Sequence, residues 1–172
     1  MSRDPVRISA FFLLSMTFAC LLFFSVIIYY EQTDSTNRIA KELIKEGQAS
    51  GGMVIHAGCQ SSGKGQYGRS FNSPIGGLYF SLIEQPDISP SDLPLITLAT
   101  GLACRECIFS LLGIVTEIKW PNDIFIGRKK VAGILCESIS GYASGTSGTT
   151  VIVGVGVNVY STLDDFPLEL QP

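Results

Sequence analysis

Apolar and polar positions along the chain switch between a period of two, which reads as strand, and a period near 3.6, which reads as helix. The first stretch has neither period: from Ile8 to Tyr30 no charge interrupts an apolar run that Arg3 and Arg7 precede. Its last part, Val26-Ile27-Ile28-Tyr29-Tyr30, is β-branched and aromatic and predicts a strand. What remains, Ile8 to Phe24, lies at the low edge of membrane-spanning length. Residues 1–24 are therefore read as an apolar amino-terminal segment with three open readings. It is a membrane anchor, a buried amino-terminal piece, or an extended start upstream of a later initiator such as Met16.

Past the strand, Asp34-Ser35-Thr36-Asn37 offers cap residues, Ile39, Ala40, Leu43 and Ile44 share one helical face, and Gly47 closes the helix. Met53 to Ala57 predicts a short buried strand. Gly58 to Pro74 has almost no apolar period and predicts a long loop, a kind of segment that tends to carry function. Leu78 to Ile83 predicts a strand. Ser91 to Leu112, whose only interior charges are Arg105 and Glu106, predicts a mostly buried helix. Val115 to Trp120 leads to a turn at Pro121-Asn122-Asp123. A hairpin follows, Ile124 to Ile126 and Lys130 to Glu137 around Gly127-Arg128, and after a Gly, Ser and Thr stretch Val151 to Val159 alternates as a strand. Strands outnumber helices and short turns join most of them. The expected fold is α+β, a mixed, largely antiparallel sheet covered by helices on one side.

Composition narrows the picture. An apolar share of 46% against 16% charged residues over 172 residues excludes intrinsic disorder and fits one domain. A net charge of −3 lacks the basic excess of a protein that grips nucleic acid through its phosphates. The five cysteines form no framework of spacings and read as free thiols of a reducing, cytoplasmic compartment. Cys104 and Cys107 have redox or metal spacing, but they sit inside an apolar helix with no second pair, so no zinc site is read there. His56, the sole histidine, falls on a buried strand and gives no access for hydrolase chemistry of the Ser-His-Asp kind.

Two clusters carry chemistry. Gly63-Lys64-Gly65-Gln66-Tyr67-Gly68 fits the dinucleotide pattern literally, but Arg69 to Pro74 opens no helix, and the pyrophosphate site of that pattern needs one. Close-packed glycines with Lys64 and Arg69 instead suit a flexible cradle for an anion. Lys119-Trp120-Pro121-Asn122-Asp123 sets a cation, an indole, a rigid turn, an amide and a carboxylate at a strand end. A fixed ammonium there can neutralise a carboxylate and a phosphate that would otherwise repel along the attack path.

Five motifs in order resemble biotin protein ligases. They are Ser35-Thr36-Asn37; Gln60-x-x-Gly63-Lys64-Gly65-x-x-Gly68-Arg69; Lys119-Trp120-Pro121-Asn122-Asp123; Lys130-Val131-Ala132-Gly133-Ile134-Leu135-x-Glu137; and Gly154-Val155-Gly156-Val157-Asn158. The resemblance implies the class II synthetase-like fold of the biotin and lipoate ligases, with a catalytic domain over residues 25–172 whose carboxy-terminal β domain is missing or cut short. It also implies that biotin and ATP give biotinyl-5′-adenylate, and that a lysine of the biotin carboxyl carrier protein of acetyl-CoA carboxylase takes the biotin. On the same ground Ser35, Thr36, Asn37, Gln60, Lys64, Gly65, Gln66, Lys119 and Gly133 would contact biotin. Gly63, Lys64, Gly65, Arg69, Asn122 and Asn158 would hold ATP or its phosphates, and Lys119 and Asp123 would be catalytic. No metal is bound by the protein alone; Mg²⁺ enters with ATP.

The chain departs from the family at Lys64 and Gln66, where arginines are usual, and at Phe71, usually Trp. Gln66 keeps hydrogen bonding but not charge, which weakens the expected retention of the adenylate. No DNA-binding domain precedes residue 25, so repression is not expected, and a membrane enters only through residues 8–24. Two other classes stay open. One is a lipoate or octanoate ligase of the same fold, and the other is a non-catalytic, membrane-anchored ligand-binding module.

Overall fold

The structure, a computed structural model, describes residues 26–87, 89–140 and 149–167. The membrane reading of residues 8–24 lies outside them, as does the middle of the Gly, Ser and Thr stretch.

Among the described residues seven strands and two α-helices are formed: β1 (Val26–Thr33), α1 (Thr36–Lys45), β2 (Met53–Gln60), β3 (Gly77–Glu84), α2 (Leu93–Leu112), β4 (Glu117–Lys119), β5 (Asp123–Ile126), β6 (Lys129–Ser140) and β7 (Thr149–Asn158). They make one sheet in the order β1-β2-β3-β7-β6-β5-β4. Only β1 and β2 run parallel, joined through α1 as a parallel pair requires; every other pair is antiparallel. The mixed, largely antiparallel sheet is as expected.

Each face of the sheet holds one helix, which corrects the expectation that helices cover one side only. Side chains of β7 alternate. Val151, Val153, Val155 and Val157 join Val54, Leu78, Phe80, Ile124, Ile134 and the α2 residues Cys104 and Ile108 in one core. Ile152 points the other way and joins Met53, Ile55 and Ile83 against Ala40 and Ile44 of α1. The sheet is thus buried on both faces at its centre, and the near-continuous apolar run of β7 is the sequence sign of that.

A second correction concerns α2. Its buried residues are Thr97, Gly101, Cys104 and Ile108, one stripe facing the sheet, whereas Leu95, Leu102, Phe109 and Leu112 are exposed. Gly101 faces β6 and β4, where a methyl would make ordinary contact, 3.6 Å from Ile134 and 3.7 Å from Ile118. The all-round hydrophobicity of the sequence reported composition, not contact. Cys104 lies in the stripe, and burial pushes its thiol up to about 12, which suits an inert packing residue.

Helix α1 positions the site. Ser35 stands at its N-cap with extended backbone, yet its side chain makes no capping hydrogen bond, while its amide donates to the Asp34 carboxylate at 2.6 Å. The hydroxyl is left for other work. At the other end Gly47 takes the left-handed φ of 70° that stops the helix. Ion pairs of Arg38 with Asp34 and Glu42 lie on the exposed side and contribute little.

Candidate active site

A cavity of about 140 Å³ opens on the α1 face of the sheet. Its floor follows from register: Lys119, Asp123, Gly133, Gly156 and Tyr79 lie in one row across β4, β5, β6, β7 and β3. Gly154 lies on the same face two residues from Gly156. None of the three floor glycines tolerates a side chain. At Gly133 a methyl would stand 2.8 Å from the Phe71 ring, at Gly156 it would run into the same ring, and at Gly154 into the Asn37 carboxamide. Period-two glycines on a strand thus make a trough, in which Phe71 and Asn37 lie.

One wall is the amino-terminal turn of α1, which places Ser35, Thr36 and Asn37, all buried. Gln60, at the end of β2, reaches across: its Oε1 accepts from the Thr36 amide at 2.9 Å, and its Nε2 donates to Ser73 Oγ at 2.8 Å. Under these, Ser81 Oγ lies 2.7 Å from Thr36 Oγ1 and 2.5 Å from Asn37 Oδ1, and Asn37 Nδ2 donates to Glu137 at 2.8 Å. Lys41 donates to the second Glu137 oxygen at 2.6 Å.

The opposite wall is the long loop. It opens no helix, in agreement with the sequence, and folds back on itself instead. The Gly65 amide donates to the Arg69 carbonyl at 2.7 Å and the Phe71 amide to the Gly63 carbonyl at 2.8 Å. Between them is a 3₁₀ turn, Gln66–Gly68, in which Tyr67 takes φ 57°, a left-handed value costing a non-glycine residue about 1–2 kcal/mol. Its ring is 92% exposed beside the cavity. Strain at a loop over a cavity fits a segment that changes shape when a ligand arrives.

Of the site residues expected from sequence, Ser35, Thr36, Asn37, Gln60, Lys64, Gly65, Gln66, Arg69, Asn122, Asp123 and Gly133 line this cavity. Three do not. Gly63 is buried behind the loop, where a side chain would meet the Phe71 carbonyl and Ser73. Asn158 lies on the cavity face of β7 two residues beyond Gly156, and its Oδ1 is buried without a hydrogen-bond partner. Lys119 shares the row of Asp123 but is exposed, and its Nζ stands 5.4 Å from the centre of the Phe125 ring, outside the lining.

A second lysine of the lining is Lys130 of β6, itself exposed, 2.7 Å from Asp123 Oδ1 and 5.6 Å from the centre of the Phe71 ring. Sequence reasoning quoted it only as part of a motif. The signal was its position three residues before Gly133, across the bulge that Val131 makes in β6 opposite Ile124 and Phe125. Ser70, Phe71 and Leu135 are further lining residues that the sequence did not single out.

The charges around the site make stability depend on pH. Burial alone would raise the Glu137 carboxyl. Hydrogen bonds from Lys41 and Asn37, with the charges of Lys41 and Lys64, outweigh it and hold the group below the usual value. A lowered carboxyl stabilises the fold above its unfolded pKa of about 4.3 and loses that contribution as pH falls through the folded value. His56, buried between Tyr29 and Phe80 on the α2 side, is shifted down by burial. It therefore costs stability as pH drops below about 6.5, where the unfolded chain takes up the proton first. Urea midpoints measured from pH 7 to pH 3.5 are expected to fall in two stages. Glu137→Gln should shrink the lower stage, which Asp34, also held down by its hydrogen bond with Arg38, shares, and keep the upper one; an unchanged lower stage would refute the assignment.

Fold and cavity together define the class of domain that the motifs resemble, and the model of the Biotin/lipoate A/B protein ligase family matches residues 29–158. The chain belongs to this family. Over 146 residues it is 40% identical to the bifunctional ligase/repressor BirA of Bacillus spizizenii, covering 84% of this chain and 44% of that protein. It is 35% identical to the biotin--[acetyl-CoA-carboxylase] ligase of Paracoccus denitrificans, covering 77% and 54%. Among solved structures it is similar to the biotin protein ligase from Aquifex aeolicus in complex with biotin and ATP. There the TM-score is 0.67, the identity 34%, and the coverage 86% of this chain and 57% of the other. The Leishmania major biotin protein ligase with biotinyl-5-AMP gives a TM-score of 0.66 at 26% identity, covering 78% and 57%. The chain spans about half the length of the curated relatives it matches.

Proposed function

We propose that this chain activates biotin with ATP and passes it to a lysine of a biotin carboxyl carrier protein, that of acetyl-CoA carboxylase, in the cytoplasm. The observation that carries the reading is one glycine-floored cavity with neutral hydrogen-bonding groups at one end and cations at the other. Ser35, Thr36 and Gln60 suit an uncharged polar head, while Lys64, Arg69 and Lys130 suit a carboxylate meeting a phosphate. Relatives crystallised with biotin and ATP, and with biotinyl-5-AMP, support it.

In the first step a biotin carboxylate oxygen bonds to the α-phosphorus and the bond to the bridging oxygen breaks, so pyrophosphate leaves. Lys130, ion-paired with Asp123 in the lining, would face the converging negative charge, where a fixed cation lowers the barrier without reorganising. In the second step the carrier lysine nitrogen attacks the acyl carbon, AMP leaves, and Asp123 is placed to take the ammonium proton. Mg²⁺ comes as part of the nucleotide substrate. Asn122 and Asp123 in the lining, with Asn158 beyond it on the same face, would offer it oxygen donors.

The test is exchange of labelled pyrophosphate into ATP by the full chain. Exchange is expected with biotin and not with lipoate. Exchange with lipoate alone would move the chain to the sister activity, and a folded protein without exchange would overturn adenylation.

A further inference from the structure

The polar groups under the cavity form one relay whose direction is set from its buried end. Glu137 accepts from Asn37 at 2.8 Å and from Lys41 at 2.6 Å, two residues one turn apart on α1. A carboxylate has no hydrogen to give, so the Asn37 amide must turn its nitrogen to Glu137 and its oxygen the other way, to Ser81. The second Asn37 hydrogen goes to the Leu135 carbonyl at 3.4 Å. An amide oxygen cannot donate either, so the single Ser81 hydrogen is used at the 2.5 Å contact with Asn37. The Thr36 hydrogen then goes to Ser81 Oγ at 2.7 Å, the shorter of its two contacts, rather than to Gln60 Oε1 at 3.2 Å, which already accepts from the Thr36 amide. What Thr36 turns to the cavity is lone pairs alone.

We propose that Glu137 and Lys41 are positioning residues that direct this relay, making Thr36 an obligate acceptor that selects a ligand head carrying an N–H donor. The ligand half rests on the biotin reading and deepens it: a ureido ring brings two N–H groups, whereas the dithiolane of lipoate brings none. Discrimination between the two acids thereby starts at a carboxylate that touches neither. Charged groups facing Glu137 are Lys41 from α1 and Lys64 from the loop. Its partner on β7, Ile152, is apolar.

Two measurements on the full chain test this. Without any ligand, the Asn37 side-chain amide signals in a nitrogen-15 NMR spectrum should move as pH falls through the Glu137 titration, and should stay still in Glu137→Gln. Signals that ignore pH in the wild type overturn the relay. With biotin, calorimetry on Glu137→Gln, which brings a donor into the relay, should show binding weakened about ten- to a hundredfold with KM for ATP unmoved. Glu137→Asp should recover part of the loss. In a Thr36→Val background the same change should cost nothing further, and an additive loss would refute action through Thr36. A wild type that binds no biotin removes the ligase reading and the ligand half together, and the Asn37 titration then decides the internal half alone.

Discussion

Replacing Lys130 with alanine is expected to lower biotin-dependent pyrophosphate exchange by about a hundred- to a thousandfold, the usual loss when a preorganised charge at the reacting centre is removed. Lys130 sits on a central strand, lines the cavity, and is held 2.7 Å from Asp123, so its ammonium is in place before substrates arrive. Fixing it beforehand matters because a cation that must first be gathered from solvent returns part of its stabilisation as ordering entropy. The fold should survive, since the side chain is exposed enough for its loss to leave no cavity. Lys119→Ala ranks the two candidates. The sequence points to Lys119 for this role; the structure leaves it exposed on β4, two strands out from Lys130. A loss in Lys119→Ala equal to that in Lys130→Ala would restore the role to Lys119.

Gly154→Ala should do damage of another kind. The added methyl would fall on the Asn37 carboxamide, which three hydrogen bonds hold in place. Asn37 cannot yield without leaving Glu137 and dragging the first turn of α1, and Ser35 and Thr36 with it. Overpacking of this sort costs about 1–3 kcal/mol. Biotin binding should weaken at least about tenfold, in line with a binding wall moved by a fraction of an ångström. Gly156→Ala should be milder because it meets Phe71, whose loop can shift. Gly51→Ala, with nothing within 4 Å, should change stability by less than about 0.5 kcal/mol. Equal effects at Gly154 and Gly51, read by thermal unfolding and calorimetry, would show that the trough is not what matters.

Local elements were readable because each rests on neighbours in sequence. Ile39 to Ile44 with Gly47 define α1 within a turn or so, and Val151 to Val159 reads as a strand, though as an alternating one, whereas β7 is buried on both faces. The side of the sheet taken by each helix was not readable, since it depends on how strands far apart in the chain interleave. The exposed flank of α2 was hidden for a similar reason: hydrophobicity shows what could be buried, not whether anything covers it. Within the site, residues carried by motif spacing largely came together. Lys130 joins the lining while Lys119 stays outside it, a difference set by the register of a bulged hairpin rather than by motif spacing. Glu137 stood in a quoted motif without a role because its partner Asn37 is 100 positions away. Only the folded register joins them.

The strand order bears on biosynthesis. β7 is the last described strand to leave the ribosome, yet it lies at the middle of the sheet, between β3 and β6. Until it inserts, β1-β2-β3 and β6-β5-β4 are two separate ribbons, each with an open, apolar edge prone to wrong pairing. Residues 149–158 close both edges at once and bring Gly154 and Gly156 with them. The ligand cavity therefore comes into being in the same late event that joins the ribbons, and a nascent chain stalled before residue 149 would hold α1 and the loop without a floor beneath them.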